Sequence, residues 1–364
     1  MVILLVVAMH SAVCYSGLGG WYYIEGAAEK LHPAEFIGFA FFQSHLQAWF
    51  MGMLFFISGV FASLSLSNKG AAVFIKERLF RLGVPLLIYI FGISLFMQFV
   101  LLGNSLETVI RESDYPLLLI FECLDDTGPL WFNEALIIFC LFFALFSRMN
   151  SRQNSVSKPE NFPGKRKLIV IIVGTGLAAF LVRLVFPIGT DVSNLQIAYF
   201  ASYIVLFVLG TKAGKNSWLL RITQGEGRFW FITALALGTP LWFIMMICGG
   251  ALKGNILIYG GLYWQSAAYA LWEALVAIGF SLGLVWFFSR YCNLENTITR
   301  FMAANSFGVY MLHPPVLVAI SLAFRRWEAQ ASLKFLIVTL LAITGSFCLS
   351  TLVRLIPQAR VILK

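Results

Sequence analysis

Five ionisable side chains of this 364-residue chain stand inside long apolar runs: His10, Glu134, Arg183, Glu273 and His313. Charge within such runs is costly, so each is a functional candidate by default. A histidine beside a carboxylate can have its tautomer fixed and its basicity raised, which is what a general base needs. His10 with Glu134 or Glu273 supplies that pairing. Arg183 either joins these groups in a functional constellation or has a structural part, pairing with Glu134 or Glu273 to neutralise charge or snorkelling outward, and the sequence leaves these open. His313 lies in YMLHPPVL, where two prolines remove backbone donors and predict a kink, with the histidine lining a cavity or simply packing between helices. Arg78 and Arg81, three apart on one helical face, present planar forks that suit phosphate oxygens. A positive-inside topology anchor is the plainer reading of that pair.

The elements that must position these residues are membrane helices. The chain is 60% hydrophobic and only 12% charged, against about a quarter charged in soluble domains. The pattern predicts an all-α, polytopic membrane helix bundle with about ten transmembrane helices. The apolar runs are Val2–Ser16, Gln47–Leu66, Leu82–Leu102, Leu130–Phe146, Leu168–Phe186, Leu195–Gly210, Phe229–Cys248, Ala267–Phe288, Phe307–Phe324 and Phe335–Leu352. Strand alternation of the barrel kind is absent. With the N-terminus inside, most of the 26 Lys and Arg fall on cytoplasmic segments, so both termini are expected in the cytoplasm. The net charge of +9 is thereby topogenic and does not call for nucleic acid.

The chain reads as a single integral-membrane domain over residues 1–364, with a polar, basic linker at Ser151–Lys167. Met1 opens directly in apolar sequence without a cationic flank, which predicts a truncated first helix or a start further upstream. A cleaved signal peptide fits poorly. The six cysteines are scattered and read as small apolar residues, a Cys14–Cys123 bridge being disfavoured. Trp21, Tyr22, Tyr23, Tyr259, Tyr263 and Trp264 read as outer-interface anchors, with stacking on a sugar ring the lesser alternative. His32 and His45 are expected in an outer loop. The four histidines lack metal-ligand spacing, so no metal site is expected. A phosphate-binding loop and a nucleophile elbow are both missing. Acidic residues Glu107, Glu112, Asp114, Glu122, Asp125 and Asp126 crowd the third outer loop.

Five segments together resemble a known family: VILLVVAMHSA, FFISGVFASLSLSNKG with FIKERLFRLGVPLL, TGPLWFNEALIIF, WEALVAIGFSLGL and NSFGVYMLHPPVL. Spread over nearly the whole chain, they resemble the integral-membrane acyltransferase family 3, and within it the glucan-modifying, OpgC-like branch. The resemblance implies an O-acyltransferase that takes an acyl group from a cytoplasmic acyl-CoA-type thioester. The group would go to a hydroxyl of a carbohydrate or related acceptor at the outer face. His10 matches the family's first-helix histidine, taken as the catalytic base. Arg78 and Arg81 match its RxxR motif, associated with the donor, and Arg183 is grouped with them. Glu134, Glu273 and His313 fall in the family's patterns for the fourth, eighth and ninth helices.

On this reading the partners are acyl-CoA as co-substrate, the hydroxyl acceptor and the lipid bilayer, with no further cofactor and no nucleic acid. The expected location is a bacterial cytoplasmic (inner) membrane. A different class, a proton-coupled secondary transporter or lipid-linked glycan flippase, would use the buried His and Glu residues as a proton relay. Consumption of acyl-CoA separates the two.

Overall fold

A computed structural model describes residues 1–103, 126–150, 160–251, 254–293 and 295–363. Among the described residues there is no β-strand beyond an isolated Val192–Leu195 bridge. The helices in chain order are α1 (Val2–Ser16), α2 (Pro33–Lys69), α3 (Ala71–Leu101), α4 (Trp131–Asn150), α5 (Lys165–Arg183), α6 (Phe200–Lys215), α7 (Gln224–Cys248), α8 (Trp264–Tyr291), α9 (Thr297–Phe324), α10 (Ala331–Val353) and the short α11 (Pro357–Ile362). Among the described residues, eight spans have the length and hydropathy to cross a bilayer: α2 to α4 and α6 to α10. The α1 helix is apolar but only 15 residues long. In α5, Lys165, Arg166 and Lys167 open the helix and Arg183 closes it around an apolar centre. Those three cations belong to a helix, not to the expected linker, because they supply its first turn.

The chain divides into two compact units. The first comprises Met1–Gln43, Arg78–Ile137 and Leu294–Lys364. In it α1 packs on α9 and α10, which also pack on each other. Its core includes Val7, Ala12, Tyr15, Phe39, Val309, Leu317, Val338 and Ala342. The second comprises Ser44–Glu77 and Ile138–Asn293, where α8 packs against α5 and α7. Lipid tails give helices no hydrophobic reason to associate, so close backbone approach through small residues must do it. In the second unit a Cβ on Gly59 of α2 would lie 2.3 Å from the Phe207 carbonyl, and one on Gly210 of α6 2.0 Å from the Phe56 carbonyl. The outward faces are large aliphatics, such as Leu181, Ile247 and Leu340, as a lipid-facing surface requires.

Three elements depart from the expected boundaries. The α2 helix starts at Pro33, well before Gln47, and runs 37 residues. The α9 helix starts at Thr297, where Asn296 and Thr299 form a reciprocal capping pair that periodicity alone does not reveal. The α3 span is interrupted by π-helical turns at Leu79–Gly83, Tyr89–Ser94 and Met97–Leu101.

Candidate active site

The first unit gathers the two buried-span histidines. His10, half-buried on α1, and His313, fully buried on α9, stack with ring centroids 5.3 Å apart and planes 19° apart. Trp21 lies against His10 at 3.7 Å and 17°, and 6.2 Å from His313. Three nearly parallel rings therefore make one cluster. Trp21 packs on α1 because the loop that follows the helix folds back onto it. Gly17 ends α1 with φ 67°, a left-handed turn that favours glycine. The amides of Glu25 and Gly26 then return to the Cys14 carbonyl at 2.9 and 3.0 Å. By contrast, Tyr259, Tyr263 and Trp264 are exposed.

The α9 backbone sets the state of His313. In an α-helix the Tyr310 carbonyl accepts from the amide four residues on, and that residue is Pro314, which has none. His313 Nδ1 lies 2.8 Å from this carbonyl. A carbonyl only accepts, so Nδ1 carries the proton and Nε2 carries the lone pair. Nε2 is buried and has no hydrogen-bond partner among the described residues. The site thus holds a bare imidazole base with an assigned tautomer.

A polar latch holds the Trp21 loop. Tyr22 donates to Asp126 Oδ1 at 2.6 Å, Ser94 donates to Asp126 Oδ2, and Tyr89 donates to Tyr22 at 3.2 Å. Burial and the neighbouring Asp126 push the Tyr22 hydroxyl well above the usual tyrosine range, so it stays a donor. Gly128, at φ 47°, leaves room for both phenols; a Cβ there would come within 2.5 Å of each hydroxyl. Farther along the loop Lys334 pairs with Glu25.

The carboxylates are placed differently from the expected set. Glu134 is half-buried in the first turn of α4, where a negative charge complements the helix N-terminus. No carboxylate among the described residues hydrogen bonds to His10 or His313; their close neighbours are aromatic. In the second unit Glu273 of α8 is ion-paired with Arg183 of α5, both fully buried. Ser202 donates to the other Glu273 oxygen at 3.4 Å. The Tyr199 and Tyr269 rings flank the guanidinium at 5.4 and 5.6 Å. His45 is also in this unit; it is buried in α2 against Trp272 and Phe280, with Nε2 3.3 Å from the Thr239 hydroxyl. It is a core residue and not a loop residue, because α2 begins twelve residues before it.

Arg78 closes the first helical stretch of α3 and Arg81 sits in its first π-turn. That wider turn leaves Arg78 half-buried and Arg81 exposed. Cys14 is buried as a free thiol, whereas Cys123 and the acidic residues from Glu107 to Asp125 lie outside the described residues. No group of three or more His, Cys, Asp or Glu side chains that could hold a metal occurs among the described residues.

Comparison with curated proteins and with solved structures gives no match. The family model described as an acyltransferase domain, that of the acyltransferase 3 group, matches residues 1–353. It runs from Met1, just before α1, to the last residue of α10 and so takes in every ring of the histidine cluster. A polytopic membrane protein that such a model covers almost from end to end belongs to the acyltransferase 3 family and is an acyltransferase.

Proposed function

We propose that this chain is a membrane O-acyltransferase of the glucan-modifying, OpgC-like branch. It moves an acyl group from an acyl-CoA-type donor at the inner face to a hydroxyl of a carbohydrate or related acceptor at the outer face. The observation that carries the reading is the His10–His313–Trp21 cluster in a protein of this family. His10 removes the acceptor hydroxyl proton as the oxygen attacks the thioester carbonyl carbon. The tetrahedral intermediate then collapses with C–S cleavage, and His10 gives the proton to the leaving thiolate, which restores the neutral base. The imidazolium formed on the way is stabilised by the Trp21 face, in place of a carboxylate. His313 Nε2 accepts a hydrogen bond from the acceptor and orients it.

Arg78 and Arg81 hold the donor's phosphates. Both belong to the same unit as the two imidazoles. Eight residues separate Arg81 from Tyr89, a member of the Trp21-loop latch, which is roughly 12 Å of helix. A pantetheine arm spans such a distance, so the anionic headgroup can stay at the basic surface while the thioester enters. Glu134 belongs to this unit and is kept as a catalytic candidate. Glu273 and Arg183 are assigned to holding α8 against α5. The orientation that fits is an inner membrane with both termini in the cytoplasm.

The test is turnover of radiolabelled acetyl-CoA and succinyl-CoA in proteoliposomes carrying glucan acceptors. Wild type should release CoA and label the acceptor. His10→Ala, His313→Ala and Arg78→Ala should each lose the reaction while remaining folded. Intact thioester with folded wild-type protein would overturn the proposal and turn attention to transport.

A further inference from the structure

The cluster contains a buried hydrogen-bond donor that the proposed reaction does not use. The Trp21 indole Nε1–H is buried and has no hydrogen-bond partner among the described residues. Indole nitrogen only donates, so satisfying the group takes an acceptor that the described residues do not supply, and a bound substrate can supply it. His313 cannot play this part in its resting state. Its Nδ1 proton is committed to the Tyr310 carbonyl and its Nε2 has none to give. Acyl transfer, however, generates an oxyanion on the former thioester carbonyl oxygen, and that oxygen needs a fixed donor in a site that excludes water.

We infer that the Trp21 Nε1–H is an oxyanion donor of the transferase, its indole face serving His10 and its indole edge serving the acyl carbonyl. The inference rests on the thioester reaction proposed above. As the acceptor oxygen bonds to the carbonyl carbon, the carbonyl π electrons move onto its oxygen and the hydroxyl proton moves to His10. Negative charge on oxygen and positive charge on the imidazole grow together, at the edge and at the face of one rigid ring whose centroid lies 3.7 Å from that of His10. Collapse returns the electron pair, breaks the C–S bond and releases the hydrogen bond. An oxyanion donor must be held in place beforehand. The Tyr22–Asp126–Ser94 contacts fix the residue next to Trp21, and the Glu25–Lys334 pair fixes the loop four residues on.

The experiment replaces Trp21 with benzothienylalanine, which keeps the bicyclic ring and its stacking face but substitutes sulfur for N–H. Wild type and variant are compared in proteoliposomes for CoA-thioester binding, for kcat and KM of transfer, and for thermal stability. The expected result is binding within about twofold of wild type and kcat lower by about 10²-fold. A variant with kcat within threefold of wild type, or with binding and kcat lowered equally, overturns the donor role and leaves Trp21 as a stacking residue. Should that variant lose thermal stability, a fluorotryptophan series at position 21 decides the matter by tuning N–H acidity at constant shape. A systematic trend of kcat with acidity supports the donor, and a flat series overturns it. Wild-type protein inert toward every thioester overturns the transfer reaction itself, and this inference with it.

Discussion

His313 supplies the hydrogen bond to the Tyr310 carbonyl that Pro314 cannot. One proline thereby converts a helix defect into an assigned tautomer, and the ring nitrogen left over is a lone pair facing no partner among the described residues. Backbone and chemistry meet in that pair of residues. A histidine whose Nδ1 is engaged by a carbonyl has a single protonation pattern while neutral, so His313 does not depend on a nearby carboxylate to set its state.

The two nitrogens of His313 can be separated by substitution. Asparagine places an amide donor near the position of Nδ1 and has nothing in place of Nε2. His313→Asn is expected to keep the fold, with thermal stability near that of wild type, and to lower the transfer rate by about 10²–10⁴-fold. His313→Ala should lose the same activity and also leave the Tyr310 carbonyl without a donor, at a cost of about 1–3 kcal/mol. Thermal unfolding in detergent read beside acyl transfer distinguishes them. Equal stability losses in the two variants would mean that the Nδ1 contact contributes nothing.

Restoring the backbone donor should act in the opposite sense on stability. An internal proline costs a helix about 3 kcal/mol or more, so Pro314→Ala is expected to raise the unfolding temperature. Its new amide competes with His313 Nδ1 for the Tyr310 carbonyl and frees the ring to change tautomer and orientation. The transfer rate should therefore fall although the protein is more stable. A variant that is both more stable and fully active would show that the tautomer is fixed by something else.

The helical bundle was legible from composition and the length of the apolar runs, because the bilayer imposes both. The residues that stack were less so. His10 and His313 stood out as ionisable groups in apolar sequence, yet the pattern could not show that they meet, since α1 and α9 are nearly three hundred residues apart in the chain. Trp21 was masked by its neighbours: a Trp-Tyr-Tyr run beside a span has the composition of an interfacial belt. The signal that could have separated it is the glycine at position 17, which ends α1 and allows the chain to double back. Glu273 and Arg183 illustrate the converse. Burial of two opposite charges was readable, but their partners depended on which helices pack together. Asp126 was assigned to an acidic loop face, although its contacts with Tyr22 and Ser94 make it the centre of the latch.

That latch has its own prediction. Removing the Tyr22 hydroxyl leaves Asp126 with one donor fewer and releases the residue beside Trp21. Tyr22→Phe and Asp126→Asn are each expected to lower kcat by about tenfold or more, with CoA-thioester binding close to wild type, because about 1–3 kcal/mol of hydrogen bonding no longer orders the loop. Freer motion of Trp21 should appear as lower fluorescence anisotropy, best measured after the other tryptophans have been replaced by a non-fluorescent analogue. Unchanged anisotropy and unchanged kcat together would remove the latch from the account.

The Arg183–Glu273 pair allows a structural role to be separated from a chemical one. Both side chains are essentially inaccessible, so losing one partner strands a buried charge and is expected to cost about 3–5 kcal/mol. Glu273→Gln and Arg183→Met should each lower the unfolding temperature sharply. Replacing both at once, with Arg183→Met and Glu273→Leu, removes the stranded charge and the desolvation cost together. The double variant should recover most of the stability and, if the pair serves packing of α8 on α5 alone, acyl transfer as well. Stability recovered without activity would assign the pair a part in the chemistry. Recovery of both would leave Arg183 and Glu273 out of the chemistry and confine their part to packing.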